Sequence, residues 1–80
     1  MTNTLFVLIK CDLGANAVAA SILDDIDNVT EIYATGGDYD LIAKFKLDRD
    51  ADVDRFVTDR VGGLDGVRET FAIPAFSPFI

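Results

Sequence analysis

The 80-residue chain contains no histidine and no tryptophan, a single cysteine, two prolines and only three lysines. Without histidine, the Ser–His and Cys–His nucleophile pairs are excluded, along with the commonest general base. One cysteine forbids an intramolecular disulfide and leaves no CxxC-type metal or redox site. Cys11 ends an apolar run and reads as a small core or edge residue. Long apolar runs are missing too: "LFVLI" (5–9) is far too short for a signal or membrane segment, and no basic segment precedes it. A cytoplasmic location is the expectation. "DLGAN" (12–16) and "GGLDG" (62–66) lack the spacing of a phosphate loop and read as a strand-to-helix turn and a helix stop. "DRDADVDRF" (48–56) lacks the mid-loop glycine and closing glutamate of an EF-hand. No catalytic residue, metal site or cofactor is expected, and the protein is not expected to be an enzyme.

Acidic charge is abundant. The net charge is -7, and 12 of the 14 acidic residues are aspartate. Such a chain repels phosphate backbones, so direct binding of nucleic acid is not expected, and a basic membrane-surface helix is excluded. Many aspartates with few lysines suit a surface that must stay hydrated in concentrated salt, and an ordinary acidic cytosolic protein has the same composition. Half of the residues are apolar, enough to fold. A chain this short forms one domain, spanning residues 1–80, and buries only about 60 % of its unfolded surface. Partner subunits are a common remedy for the thin stability that results.

The two halves of the chain resemble each other. "LFVLIKCD" (5–12) aligns with "LIAKFKLD" (41–48), and "NVTEIYA" (28–34) aligns with "GVRETFA" (66–72). Residues 4–11 and 41–47 are β-rich runs of strand length. In the first, Leu5, Val7 and Ile9 point to one face while Phe6 and Leu8 point to the other, as in a central strand covered on both sides. Between the strands, Ala15, Val18, Ala19, Ile22, Leu23 and Ile26 recur at helical spacing. Val53, Phe56, Val57, Val61 and Leu64 form a second stripe, with cap candidates in "DRDAD" (48–52) and a stop at Gly62 and Gly63. Two β-α-β units in tandem predict an α+β, ferredoxin-like βαββαβ domain with an antiparallel sheet in the order 4-1-3-2. Both helices then cover one face of the sheet. The other face, together with Phe76, Phe79 and Ile80 of the tail "AFSPFI", needs cover, which a second copy packed sheet to sheet supplies.

"TGGDYDL" (35–41) joins the two units. A two-residue hairpin needs one glycine-containing pair, whereas this stretch offers Thr35, Gly36, Gly37 and Asp38 together. Glycines permit close approach to the backbone and leave N–H groups pointing outward. Thr35 adds a hydroxyl, and Asp38 and Asp40 add negative charge. A receptor for a zwitterion needs these side by side: donors for a carboxylate and a carboxylate for an ammonium. Thr35 and the Gly36 and Gly37 amides are assigned to the carboxylate, Asp40 or Asp38 to the ammonium, and Tyr39 to the wall. The same residues also describe a glycine-rich turn with a tyrosine packed on the sheet.

"NVTEIYATGGDYDLIAKFKL" followed by "GLDGVRETFAIPAF" resembles the amino-acid-binding effector domain of Lrp/AsnC-type (feast/famine) transcription regulators, also called the RAM domain. The family's turn pattern, close to Thr-Gly-x-Tyr-Asp, is matched by Thr35, Gly36, Tyr39 and Asp40, with Gly37 and Asp38 filling a stretch one residue longer. Leu64-Asp65-Gly66-Val67 matches its "LPGV"-like turn. The resemblance implies a dimeric α/β-barrel type of assembly in which homodimers form rings, often octamers, and bind amino acids between dimers near the turn. Of the family's polar side chains on the fourth strand only Thr70 is present. The resemblance is to stand-alone members without a helix-turn-helix, which would modulate transcription through full-length regulators. Two other classes share the topology: ACT domains, of which Leu13-Gly14 is a faint echo, and dimeric α/β-barrel monooxygenases, which commonly rely on His, Trp or Asn.

Twelve like charges on so small a surface repel one another within a Debye length of about 30 Å at 0.01 M salt. Salt is therefore expected to stabilise the fold, and each relief of about 1 kcal/mol raises the melting temperature by about 4–8 °C. A melting temperature that stays constant or falls between roughly 0.1 and 2 M chloride, where the Debye length drops below about 10 Å, removes the high-salt reading.

Overall fold

The computed structural model describes residues 2–75, with the tail residues Phe76, Phe79 and Ile80 outside the described range. The elements run β1 (Thr2–Cys11), α1 (Asn16–Asp24), β2 (Val29–Ala34), β3 (Leu41–Asp48), α2 (Val53–Phe56) and β4 (Val67–Ala75). They build one four-stranded antiparallel sheet in the order β2-β3-β1-β4, which is the expected 4-1-3-2.

Alternation along the two central strands sorts the side chains by face. Leu5, Val7, Ile9 and Cys11 of β1 and Leu41, Ala43, Phe45 and Leu47 of β3 are buried beneath the helices. Ala19 and Leu23 of α1, Ile26 beyond its end, and Val57 and Val61 complete this core. Phe45 meets Phe56 edge to face, with ring centroids 5.2 Å apart.

Three details differ from the sequence expectation. Val18 is 54 % exposed rather than part of the core stripe. At about 100° per residue, the buried positions 19, 23 and 26 centre the contact on the far side of the stripe, so Val18 swings out over its edge. The second helix is α-helical only through Phe56. Its continuation, Val57–Val61, widens into a π-helical turn closed by Gly62 N–H donating to the Val57 carbonyl at 2.7 Å. The wider turn leaves both Val57 and Val61 against the sheet. Finally, β4 runs on to Ala75, three residues beyond the matched repeat, and carries Pro74. An edge strand tolerates a proline because one of its sides has no ladder to complete.

Other expectations hold at the level of atoms. Asp52 caps α2 by accepting from the Arg55 N–H at 3.2 Å. Gly66, with φ of +85°, occupies a backbone conformation that favours glycine, and a Cβ there would lie 3.0 Å from that of Ala15. That glycine lets β4 enter the sheet directly under the start of α1, with Asp12 N–H donating to the Gly66 carbonyl at 2.8 Å.

The sheet face away from the helices is open. The register sets Tyr33, Ile42, Leu8 and Phe71 side by side across all four strands, with Phe6 and Ile73 in the adjoining row. Phe6, Leu8 and Ile42 are half-buried, while Tyr33, Phe71 and Ile73 are 57 %, 53 % and 41 % exposed. This is a contiguous aromatic and aliphatic patch with nothing above it in the described chain.

Candidate functional site

The turn between β2 and β3 is braced from three sides. Thr35 N–H donates to the Asp40 carbonyl at 2.9 Å, closing the loop, and Asp40 N–H donates to the Ile9 carbonyl at 2.9 Å. The Asp40 carboxylate accepts from the Cys11 N–H at 2.8 Å. That contact falls where β1 and β4 slip register between Lys10 and Cys11, so the aspartate serves an amide beside a break in the ladder. The Thr35 hydroxyl donates to the Tyr39 carbonyl at 2.8 Å. Gly37, with φ of +91°, makes the reversal at the tip.

This bracing redistributes the roles expected from sequence. The Thr35 hydrogen is committed inside the turn, so it supports the loop rather than standing free as a donor. Asp40 commits Oδ2 to Cys11. At the exposed tip, the amides of Gly36, Gly37 and Asp38 and the Asp38 carboxylate make no hydrogen bond to any described residue. Thr70 stands apart: it pairs with Ile9, and β1 runs between its strand and β3. Within one chain it does not join the turn.

The sequence reading missed what flanks Tyr39. Lys10 projects from β1 onto the open face, with Nζ 5.6 Å from the Tyr39 ring centroid and 3.7 Å from Glu69 Oε2. A second pair, Lys44 with Glu31 at 3.3 Å, lies on the same face, where the Tyr33 hydroxyl also donates to Glu31. That hydrogen bond, and then Lys44, hold the Glu31 carboxyl below its ordinary range, and Glu31 in turn raises the Tyr33 hydroxyl. Both glutamates of the chain thus stand on the open sheet face, each beside a lysine. Once the register is known, position parity alone shows this clustering. Cys11 is buried as expected. Burial, followed by the nearby Asp40 and Asp12, pushes its thiol up, so it is held protonated.

The described residues hold no group of three or more His, Cys, Asp or Glu side chains able to bind a metal ion, and no helix long and apolar enough to cross a membrane. The fold is a one-sided α+β sandwich, with the 35–40 turn at one end of its sheet.

The chain belongs to the Lrp/AsnC ligand-binding domain family, whose model matches residues 4–80. It is 35 % identical over 65 residues to the HTH-type transcriptional regulator FL11 of Pyrococcus furiosus, a match covering 81 % of this chain and 42 % of the regulator. The chain therefore spans less than half the length of that relative. Among solved structures, TTHA0845 from Thermus thermophilus superposes with a TM-score of 0.86 at 29 % identity, covering 98 % of both chains. E. coli AsnC shares the fold with a TM-score of 0.84 at 20 % identity, over 98 % of this chain and 53 % of that one. So does the Neisseria meningitidis transcriptional regulator NMB0573, solved as a complex with L-Met, with a TM-score of 0.83 at 15 % identity, over 98 % of this chain and 52 % of that one.

The two aspartates of the turn are separable by stability. Asp40→Ala orphans the Cys11 amide and is expected to cost about 1–3 kcal/mol, whereas Asp38→Ala, at an exposed and unpaired position, stays within about 0.5 kcal/mol. Urea denaturation of the two variants checks this, and equal losses contradict the bracing role of Asp40.

Proposed function

We propose that this domain is a non-enzymatic effector-binding and oligomerisation module that takes up an amino acid at the 35–40 turn and modulates transcription through partner regulators. The observation that carries the reading is the tip itself, where the amides of three successive residues and the Asp38 carboxylate have no partner among the described residues. The amides of Gly36, Gly37 and Asp38 hold the carboxylate of the amino acid, and Asp38 takes its ammonium. The remaining oxygen of Asp40 is the second candidate for that charge. Tyr39 walls the site. Thr70 contributes only from a neighbouring subunit, since within one chain β1 separates it from the turn.

Assembly follows from the open sheet face. Its apolar rows pack against those of a second copy, burying Tyr33, Phe71 and Ile73, and dimers associate further, to an octamer, through their turns. Self-pairing suits the charges as well, because each lysine–glutamate pair beside the patch has zero net charge, unlike the chain as a whole. A full-length regulator carrying the same domain presents the same partner surface. The family membership, the FL11 relatives and the L-Met complex of the Neisseria regulator support an effector-binding role. The module acts in the cytoplasm and does not itself contact DNA, since its negative charge repels a phosphate backbone. Retention of duplex DNA by the isolated chain in a gel shift at physiological salt would contradict that last point.

A thermal-shift screen of the twenty amino acids tests the site. At least one is expected to raise the melting temperature, and its affinity should fall about tenfold or more in Asp38→Ala, which removes a charge-assisted contact. If no amino acid shifts the melting temperature, the turn is an assembly contact only.

A further inference from the structure

We infer that Lys10 supplies the fixed positive charge that captures the carboxylate of the amino acid, in exchange for Glu69. This inference rests on reading the turn as an amino-acid site, and it adds a residue from a different strand. The turn is fastened to β1 on both sides of Lys10: Asp40 N–H donates to the Ile9 carbonyl, and the Cys11 N–H donates to the Asp40 carboxylate. Lys10, the residue between, is thereby anchored against the loop with its ammonium 5.6 Å from the Tyr39 ring centroid. Two further observations make this lysine functional rather than ornamental.

The first is charge. Asp12, Asp38, Asp40 and Glu69 are all carried by the segments that meet at this end of the sheet, on a chain with a net charge of -7. An incoming carboxylate is repelled by such surroundings. The Thr35 hydroxyl hydrogen, donated to the Tyr39 carbonyl, gives no compensation, and backbone amides carry only partial charge. Lys10 carries a full one. The second is the looseness of its present pair. The Lys10–Glu69 contact is 3.7 Å, with side chains 39 % and 58 % exposed, the geometry of an ion pair that contributes little and is readily replaced. A carboxylate held at the tip offers the lysine a better partner, since the tip amides share the same anion and form charge-assisted hydrogen bonds to it.

The test is calorimetric titration with each of the twenty L-amino acids, and with the carboxamide of each one that binds, against the full chain and three variants. Lys10→Met is expected to weaken binding of the amino acid about tenfold or more, the loss of one charge-assisted contact. Lys10→Arg should retain most of the affinity, and Glu69→Gln should tighten it by freeing the lysine. The carboxamide should bind the unaltered protein weakly and be insensitive to Lys10→Met. An amino acid that binds Lys10→Met as tightly as the unaltered chain, with assembly unchanged, overturns the role of Lys10 while leaving the turn as the site. Absence of binding by any amino acid overturns both. Should Lys10→Met fail to fold, Glu69→Gln decides: unchanged or weakened binding counts against the exchange.

Discussion

Two short helices cannot cover two faces of a four-stranded sheet, and most of what is distinctive in this domain follows from that shortage. The helices cover one face, where Leu5, Val7, Ile9, Phe45 and Leu23 are almost fully buried. The opposite face keeps a row of Tyr33, Ile42, Leu8 and Phe71 in open view. With burial of apolar surface contributing about 25 cal/mol per Å², leaving three large side chains half exposed forgoes several kcal/mol in a domain whose total stability is about 5–15 kcal/mol. A chain of 80 residues has little reserve for such a loss, and the proposed sheet-to-sheet association would recover it.

The turn at 35–40 is held by backbone and side-chain hydrogen bonds to β1. Asp40 and Thr35, the polar residues that draw the eye in the sequence, are engaged in this bracing. The groups the proposed site relies on are the plainer ones, the amides of Gly36, Gly37 and Asp38, which have no partner among the described residues. Rigid support by polar side chains, with recognition by main chain, is an efficient division of labour in a loop, because the donors then sit at fixed positions without the entropy cost of ordering side chains. Lys10 belongs to this arrangement because the turn is tied to its two neighbours.

Much of the architecture was legible because its signals are local. The duplicated strand runs, the helical spacing of the apolar residues and the glycines at 62 and 63 define the elements and their order. Strand parity separated Leu5, Val7 and Ile9 from Phe6 and Leu8 and thus foretold an open face. What escaped depends on contacts between distant segments. The exposure of Val18 reflects which side of α1 is buried, and the π-helical turn at Val57–Val61 is marked only by the hydrogen bond from Gly62 N–H to the Val57 carbonyl. Neither leaves a mark in the spacing. The turn was recognisable from Thr35 to Asp40, but the roles within it were not, because the hydrogen bond of Asp40 to Cys11 joins residues 29 positions apart in sequence. Lys10 and Glu69 were invisible for a related reason. They meet only through the register of β1 and β4, which a slip near Cys11 makes irregular.

The measurement that bears most directly on this account is the solution mass by light scattering, in moderate to high salt and at micromolar concentration, of the unaltered chain beside Phe71→Asp. Phe71 lies 53 % exposed in the open row, so an aspartate there leaves the folded core intact and places an unpaired charge where two sheets would meet. The account predicts at least twice the 8.7 kDa chain mass for the unaltered protein, and a shift toward a folded monomer for the variant. A stable monomer of 8.7 kDa for the unaltered chain, with its apolar face in water, would contradict it.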